Sequence, residues 1–413
     1  MNVILERSKR FCGYLVGIVF FISGVFKLMD PVGTGLIVSE YYKFMHLEFL
    51  DFSSGIAAVT LSMAESLVGA ALITGLWRRV VAIVTMCMTG VFLLVSVALV
   101  VFNPVMDCGC FGEAIHLTHL QTLVKNLILS LLCCASFFPF SALGQPKKRK
   151  YVAFSLVTAG LLFFMIYSLL YIPVKDFTGY SASARLAASE RHIEGALADT
   201  EEYEAVFVYE KDGKKEEFTL ENLPDSTWTF VSAETVRKER HRPEESIVTL
   251  PVIDADGGYH DYLAATGNAM VVSVYAPGKL SLRKWKVVHD YLVSAGDNGF
   301  RPLLLVAASP EAGQEIKDTM AASGDFDMDF IGDAMYFSDY KTLISLNRSN
   351  GGATFFYDGF LVRKWSFRSL PGPGRLSELG AEDPAESLLA YSTVGNLFFQ
   401  AFFLFSFAVM LLL

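Results

Sequence analysis

Hydrophobic residues in this chain gather in long runs, five before residue 175 and one at the end, each of about 20 residues or more. They lie near Phe11–Met29, Phe52–Leu76, Val80–Phe102, His119–Phe140, Tyr151–Pro173 and Val394–Leu413. Their length predicts six membrane-spanning helices. Between the fifth and sixth runs lie about 220 more polar residues, enough for a domain with its own core. There the pattern shortens. Ala182–Ala188 and Glu190–Ala198 predict a short helix leaving the membrane. Tyr203–Tyr209 and Glu216–Leu220 predict a hairpin around Lys211-Asp212-Gly213-Lys214. From Met270 the order becomes strand (Met270–Tyr275), helix (Ser281–Ala295), strand (Pro302–Ala308), helix (Glu311–Ala322). A helix at Asp339–Leu346 and paired strands Thr354–Tyr357 and Leu361–Trp365, turning at Asp358-Gly359, complete it. Asp325, Asp327 and Asp329 lack calcium-loop spacing and read as a solvated strand edge.

Composition agrees with a membrane protein: 53% of the 413 residues are hydrophobic. Charge sets an orientation. Residues 1–172 carry 12 Lys+Arg against 8 Asp+Glu, and the remainder carries 22 against 35. Nine of the 12 membrane-part cations fall in alternate connections: Arg7, Lys9 and Arg10, then Arg78 and Arg79, then Lys147 to Lys150. The positive-inside rule places these segments and both termini in the cytoplasm. Residues 107–112 and the acidic domain then fall on the outer face. No small-x-small site follows Met29, so the first span reads as an uncleaved anchor. An acidic outer domain is a poor nucleic-acid ligand, and no phosphate loop, dinucleotide fingerprint, nucleophile elbow or zinc-protease motif occurs.

The candidate chemistry sits between the third and fourth spans, in Asp107-Cys108-Gly109-Cys110-Phe111-Gly112. Thiols at i and i+2 can fall within the Cα window of a disulfide, and Gly109 tolerates the tight backbone. Strain in so small a ring favours a reducible, working pair. An outward pair also lies in the oxidising compartment. Cys110, beside the Phe111-Gly112 turn, reads as the exposed thiol and Cys108 as the resolving one. Lys27, Glu65 and Lys125 lie inside spans, where ionisable groups face a bundle interior and pair. Glu65 is within reach of either lysine, for structure or for proton transfer. His116 and His119 follow the motif as thiolate-stabilising groups or as bystanders; their spacing from the cysteines is not that of a zinc site. Cys87 and Cys133 lie at similar depth, as a second thiol set or as small buried hydrophobes, while Cys12 and Cys134 complete the six cysteines.

Gly17-Ile18-Val19-Phe20-Phe21-Ile22-Ser23-Gly24-Val25-Phe26-Lys27 followed by Asp30-Pro31 resembles the first helix of DoxX-type membrane proteins. Glu65 to Arg79 is similar to their second helix and its basic turn, and residues 107–112 ahead of a fourth helix resemble the MauE branch. The resemblance covers residues 1–140. It implies a four-helix bundle with an outward thiol pair, connected with disulfide chemistry of exported partners, and so a bacterial inner-membrane protein whose soluble domain is periplasmic. The later strand and helix order looks like a thioredoxin fold, with Val274-Tyr275-Ala276-Pro277 similar to the strand end before that family's Cys-x-x-Cys. The cysteine positions would be Lys279 and Leu282, and the cis-proline position Ala353. No cysteine occurs after Cys134, so this domain performs no thiol exchange itself.

The expected architecture is an α-helical membrane bundle, an α/β thioredoxin-like soluble domain and a single C-terminal transmembrane helix. Its parts are the bundle over 1–140, a cytoplasmic basic loop and fifth span over 141–177, and an outward α+β segment over 178–268. The thioredoxin-like domain over 269–376 and the last span over 394–413 follow. The expected function is thiol–disulfide redox chemistry by Cys108 and Cys110, supported by Asp107, Glu65, Lys27 and Lys125, on an exported client. A quinone is the expected second electron carrier, although the sequence shows no quinone site. The alternative is a non-enzymatic envelope scaffold whose outer domain docks a partner.

Overall fold

The computed structural model describes residues 2–104, 108–137, 148–187, 203–211, 214–219, 228–237 and 247–412. The N-terminal helices are α1 (Asn2–Met29), α2 (Pro31–Phe44), α3 (Ser54–Thr74), α4 (Arg78–Phe102), α5 (His119–Phe137) and α6 (Lys148–Leu170). Among the described residues six helices are long and apolar enough to cross a membrane: five in this part, and one at Pro384–Leu412 that begins ten residues before the expected Val394. Asp107 and residues 138–147 lie outside the described residues.

Helix α2 was not expected, because its sequence carries no clear apolar stripe. Its start follows from local chemistry. Asp30 accepts a hydrogen bond from the Gly33 amide at 2.9 Å, and Pro31 occupies the first turn, where its missing N–H costs nothing.

Helices α1 and α3 meet backbone to backbone. A Cβ at Gly69 would lie 2.3 Å from the Phe21 amide nitrogen, and one at Gly24 2.5 Å from that of Ser66. Small residues permit this approach, which dispersion and polar contacts stabilise in a bilayer. Gly69→Ala should therefore push the helices apart and cost about 1–3 kcal/mol. Gly90→Ala, where nothing lies within 4 Å, should cost nothing measurable. Thermal unfolding in detergent checks this, and equal midpoints for the two variants would contradict the packing argument.

The region between α6 and the C-terminal helix builds a seven-stranded mixed sheet. Its strands are β2 (Arg185–Leu186), β6 (Ile247–Val248), β7 (Asn268–Val274), β8 (Arg301–Val306), β9 (Met335–Phe337), β10 (Gly352–Tyr357) and β11 (Phe360–Trp365). They lie in the order β6-β2-β11-β10-β7-β8-β9, with β7, β8 and β9 parallel and β10 and β11 antiparallel. The four-residue β1 (Cys110–Glu113) belongs to the membrane part. A separate antiparallel sheet is formed by β3 (Tyr203–Lys211), β4 (Lys214–Thr219) and β5 (Thr229–Arg237).

Both faces of the large sheet are buried, which explains its continuous apolar strands. Met270, Val272 and Val274 pack with Trp285 and Leu292 of α7 (Leu282–Asp297), whereas Ala269 and Val271 pack with Leu343 and Leu346 across the sheet. The β10–β11 connection turns at Asp358 and Gly359, both at positive φ, as a two-residue hairpin requires.

Two local expectations fail. Residues 182–187 do not form a helix: Ser183 takes φ 72° and the chain turns into strand β2, while residue 188 and residues 190–198 lie outside the described part. Nor do the aspartates line a strand edge. Asp327 caps a short helix, Met328–Ala334, by accepting from the Phe330 amide, a role in which aspartate is favoured.

Candidate functional site

The thiol hairpin is gripped from two sides by the membrane part. On α1, Ser23 and Lys27 stand one turn apart on the buried face; Glu65 reaches them from α3. Lys27 Nζ lies 2.6 Å from Glu65 Oε2, and all three residues are at most 6% exposed. The Ser23 hydroxyl sits 3.0 Å from Glu65 Oε1 and 2.6 Å from the Cys110 carbonyl oxygen, so the ion pair leads directly to the hairpin. From α2, the Tyr41 hydroxyl donates to the Cys108 carbonyl at 2.9 Å.

Glycines let the hairpin fit. Gly109 takes φ +61°, and a Cβ there would lie 2.5 Å from Ile37 Cγ2 on α2. The Gly112 amide closes a turn onto the Gly109 carbonyl at 3.1 Å. Within this turn the Cys110 amide points at the Cys108 sulfur, 3.4 Å away. Lys125 of α5 lies 5.0 Å from the centroid of the Phe111 ring.

The two thiols occupy different environments. Cys108 is buried and Cys110 half-buried, and both are free thiols here. The Cys108 S–H donates to the Cys110 sulfur, which raises Cys108 well above the ordinary thiol range, and burial adds to the rise. The same hydrogen bond lowers Cys110 to about 6, with Lys125 and then Lys27 contributing against the opposing effect of burial. This arrangement favours a thiolate on Cys110, the less buried of the two, and a thiol on Cys108.

The other sequence candidates are distributed elsewhere. Cys133 is buried with the Thr89 hydroxyl 3.9 Å from its sulfur, whereas Cys87 and Cys134 are exposed. His119 Nε2 lies 3.1 Å from the Pro104 carbonyl. Among the described residues no group of three metal-ligating side chains forms. Glu65 pairs with Lys27 rather than with Lys125.

Sequence reasoning missed the outer grip. Arg348, on the loop before β10, places Nη2 2.7 Å from Asp30 Oδ2 and 3.6 Å from Glu113 Oε1, the far end of β1. Its side chain is 4% exposed and that of Asp30 6%. Burial raises the Asp30 carboxyl above its usual range, against the lowering effect of Arg348 and of the Gly33 amide. Lys364 of β11 pairs with Asp176, and exposed Lys341 with Glu40 at 3.3 Å. The Asp30-Pro31 cap was the available signal for α2; nothing local marks Arg348.

Comparison with known proteins bears on the membrane part. Residues 5–139 match the family model described as methylamine utilisation protein MauE. Residues 203–239 match a model described as a domain of unknown function. No solved structure matches. Protein TlpB of Flavobacterium psychrophilum is 27% identical over 154 residues, which cover 37% of this chain and 35% of that protein. The match thus spans about a third of the relative's length. The first third of this chain is similar to MauE-type membrane proteins.

Proposed function

We propose that this protein is a membrane thiol–disulfide exchange protein whose reacting groups are Cys108 and Cys110. The observation that carries the reading is the asymmetry of the pair: a half-buried thiolate beside a buried thiol, at the outer end of a helical bundle. A nucleophile and a resolving partner need that division. The Cys110 thiolate attacks a client disulfide and releases one client thiolate. Cys108 then loses its proton and displaces the second client sulfur, leaving a Cys108–Cys110 disulfide and a reduced client. Run backwards, the same steps oxidise the client. The MauE-type match and the TlpB relative support this class of chemistry.

The alternating basic connections support an inner-membrane protein with periplasmic thiols and cytoplasmic termini. In the outer domain, the strand order β11-β10-β7-β8, with α7 linking parallel β7 to β8, supports a thioredoxin-like reading. Lys279 and Leu282 stand where its thiols would be, so the domain acts through contact rather than exchange.

Equilibration with glutathione buffers of graded potential, followed by alkylation, tests the function. A working pair should titrate near about −200 mV. A bond that stays oxidised below about −300 mV would mark a structural staple and favour the scaffold reading.

A further inference from the structure

The outer domain touches the membrane part at the thiol hairpin. Arg348 bridges Asp30, which caps α2, and Glu113, which ends the strand that Cys110 begins. Helix α2 in turn holds Cys108 through Tyr41 and abuts Gly109 through Ile37. Arg348 sits on a rigid support. Tyr275 donates to its carbonyl at 3.1 Å, its own Nη1 donates to Ile344 at 3.1 Å, and neighbouring Asn350 exchanges two hydrogen bonds with Ala276. Asn347, fully buried, ties the same loop to Ala353 and Trp365.

Size then matters. Three residue steps of about 3.3 Å, shortened by the turn at Gly112, place Cys110 within about 10 Å of Glu113. A compact body of roughly 150 residues has a radius of gyration of about 15 Å. A small molecule passes such a body; a folded client does not reach past it to Cys110.

We infer that the outer domain is a docked cover over the Cys108–Cys110 hairpin, latched by Arg348 between Asp30 and Glu113, and that a protein client reaches the pair when the domain swings off. The membrane-facing end of the domain thus has this chain's own bundle as its partner, and clients meet another surface. The inference rests on the pair being the site of exchange, but its test reads access alone.

The test uses full-length protein in membranes with Cys110 as the sole cysteine. Its alkylation is timed with N-ethylmaleimide and with a maleimide carrying a 5-kDa polyethylene glycol. Arg348→Gln should speed the large reagent about tenfold, the equivalent of about 1.4 kcal/mol of lost docking, and the small reagent less than twofold. Arg348→Lys, which keeps the charge, should restore most of the slow rate. Lys341→Glu sets like charges against Glu40 at an exposed position and leaves no buried charge unpaired. It should speed the large reagent in the same direction, so the inference remains testable if Arg348→Gln fails to fold. An unchanged large-reagent rate in the folded variants overturns the cover. So does equal acceleration of both reagents, which reports a loosened hairpin. Failure of the redox reading would appear separately, in the glutathione titration of the unmodified protein.

Discussion

Cys108→Ser should accumulate mixed disulfides with client proteins, and Cys110→Ser should accumulate none. In the first variant the thiolate that attacks is present and the group that resolves is missing, so the covalent intermediate persists. In the second, the attacking thiol is gone, and the one that remains is buried, which raises it and shields its sulfur from a client disulfide. Acid quenching, alkylation and non-reducing gels with and without dithiothreitol read the difference, which should be near all-or-none. Equal trapping by both variants would remove the asymmetry on which the mechanism depends. The pH dependence carries a sign of its own. Alkylation of Cys110 in the reduced wild type should rise through a midpoint of about 6 as pH increases, because the thiolate is the reacting form. Cys108→Ala removes the main lowering contact and should move that midpoint toward the ordinary value of about 8.5. Cys108→Ser keeps a donor and should move it less.

Lys27→Met or Glu65→Leu alone should each destabilise the bundle by about 3–5 kcal/mol, because either leaves a buried charge without its partner. The double variant should recover most of that loss, since two apolar side chains of similar volume replace a costly ion pair. Folded yield in detergent, measured as a double-mutant cycle, gives the coupling directly. Single variants as stable as the wild type would show that the pair is not isolated from water. The double variant also separates structure from chemistry. Stability returns, but Cys110 loses the favourable charge of Lys27, so its alkylation midpoint should lie above that of the wild type.

The parts of this fold legible in the sequence are those specified by neighbours along the chain. Apolar runs predicted the six helices long and apolar enough to cross a membrane, and Asp358-Gly359 marked its hairpin because a two-residue turn needs left-handed backbone. Strands β2 and β6 have two residues each and join the sheet edge only through partners far away. No local pattern of two residues distinguishes a strand. The cysteines of the candidate site were visible as a motif, and the charged residues in the spans as exceptions to an apolar background. The Arg348–Asp30 contact spans 318 residues of sequence and depends on how two independently formed bodies come together. Neither residue stands out alone: Asp30 reads as a helix cap and Arg348 as an ordinary surface cation.

The outer domain is inserted between α6 and the C-terminal helix, and those two helices pack side by side, Phe164 stacked on Phe402 at 4.8 Å. Its two tethers therefore leave the bundle from neighbouring points. A body tied in this way pivots and does not diffuse away. After release it stays near its docking surface at an effective concentration of the order of millimolar. A contact worth only 10 µM between separate molecules would then keep about 99% of the domains seated. The latch can be weak in absolute terms and still be closed nearly all the time, and a modest competing client can open it without dismantling the protein.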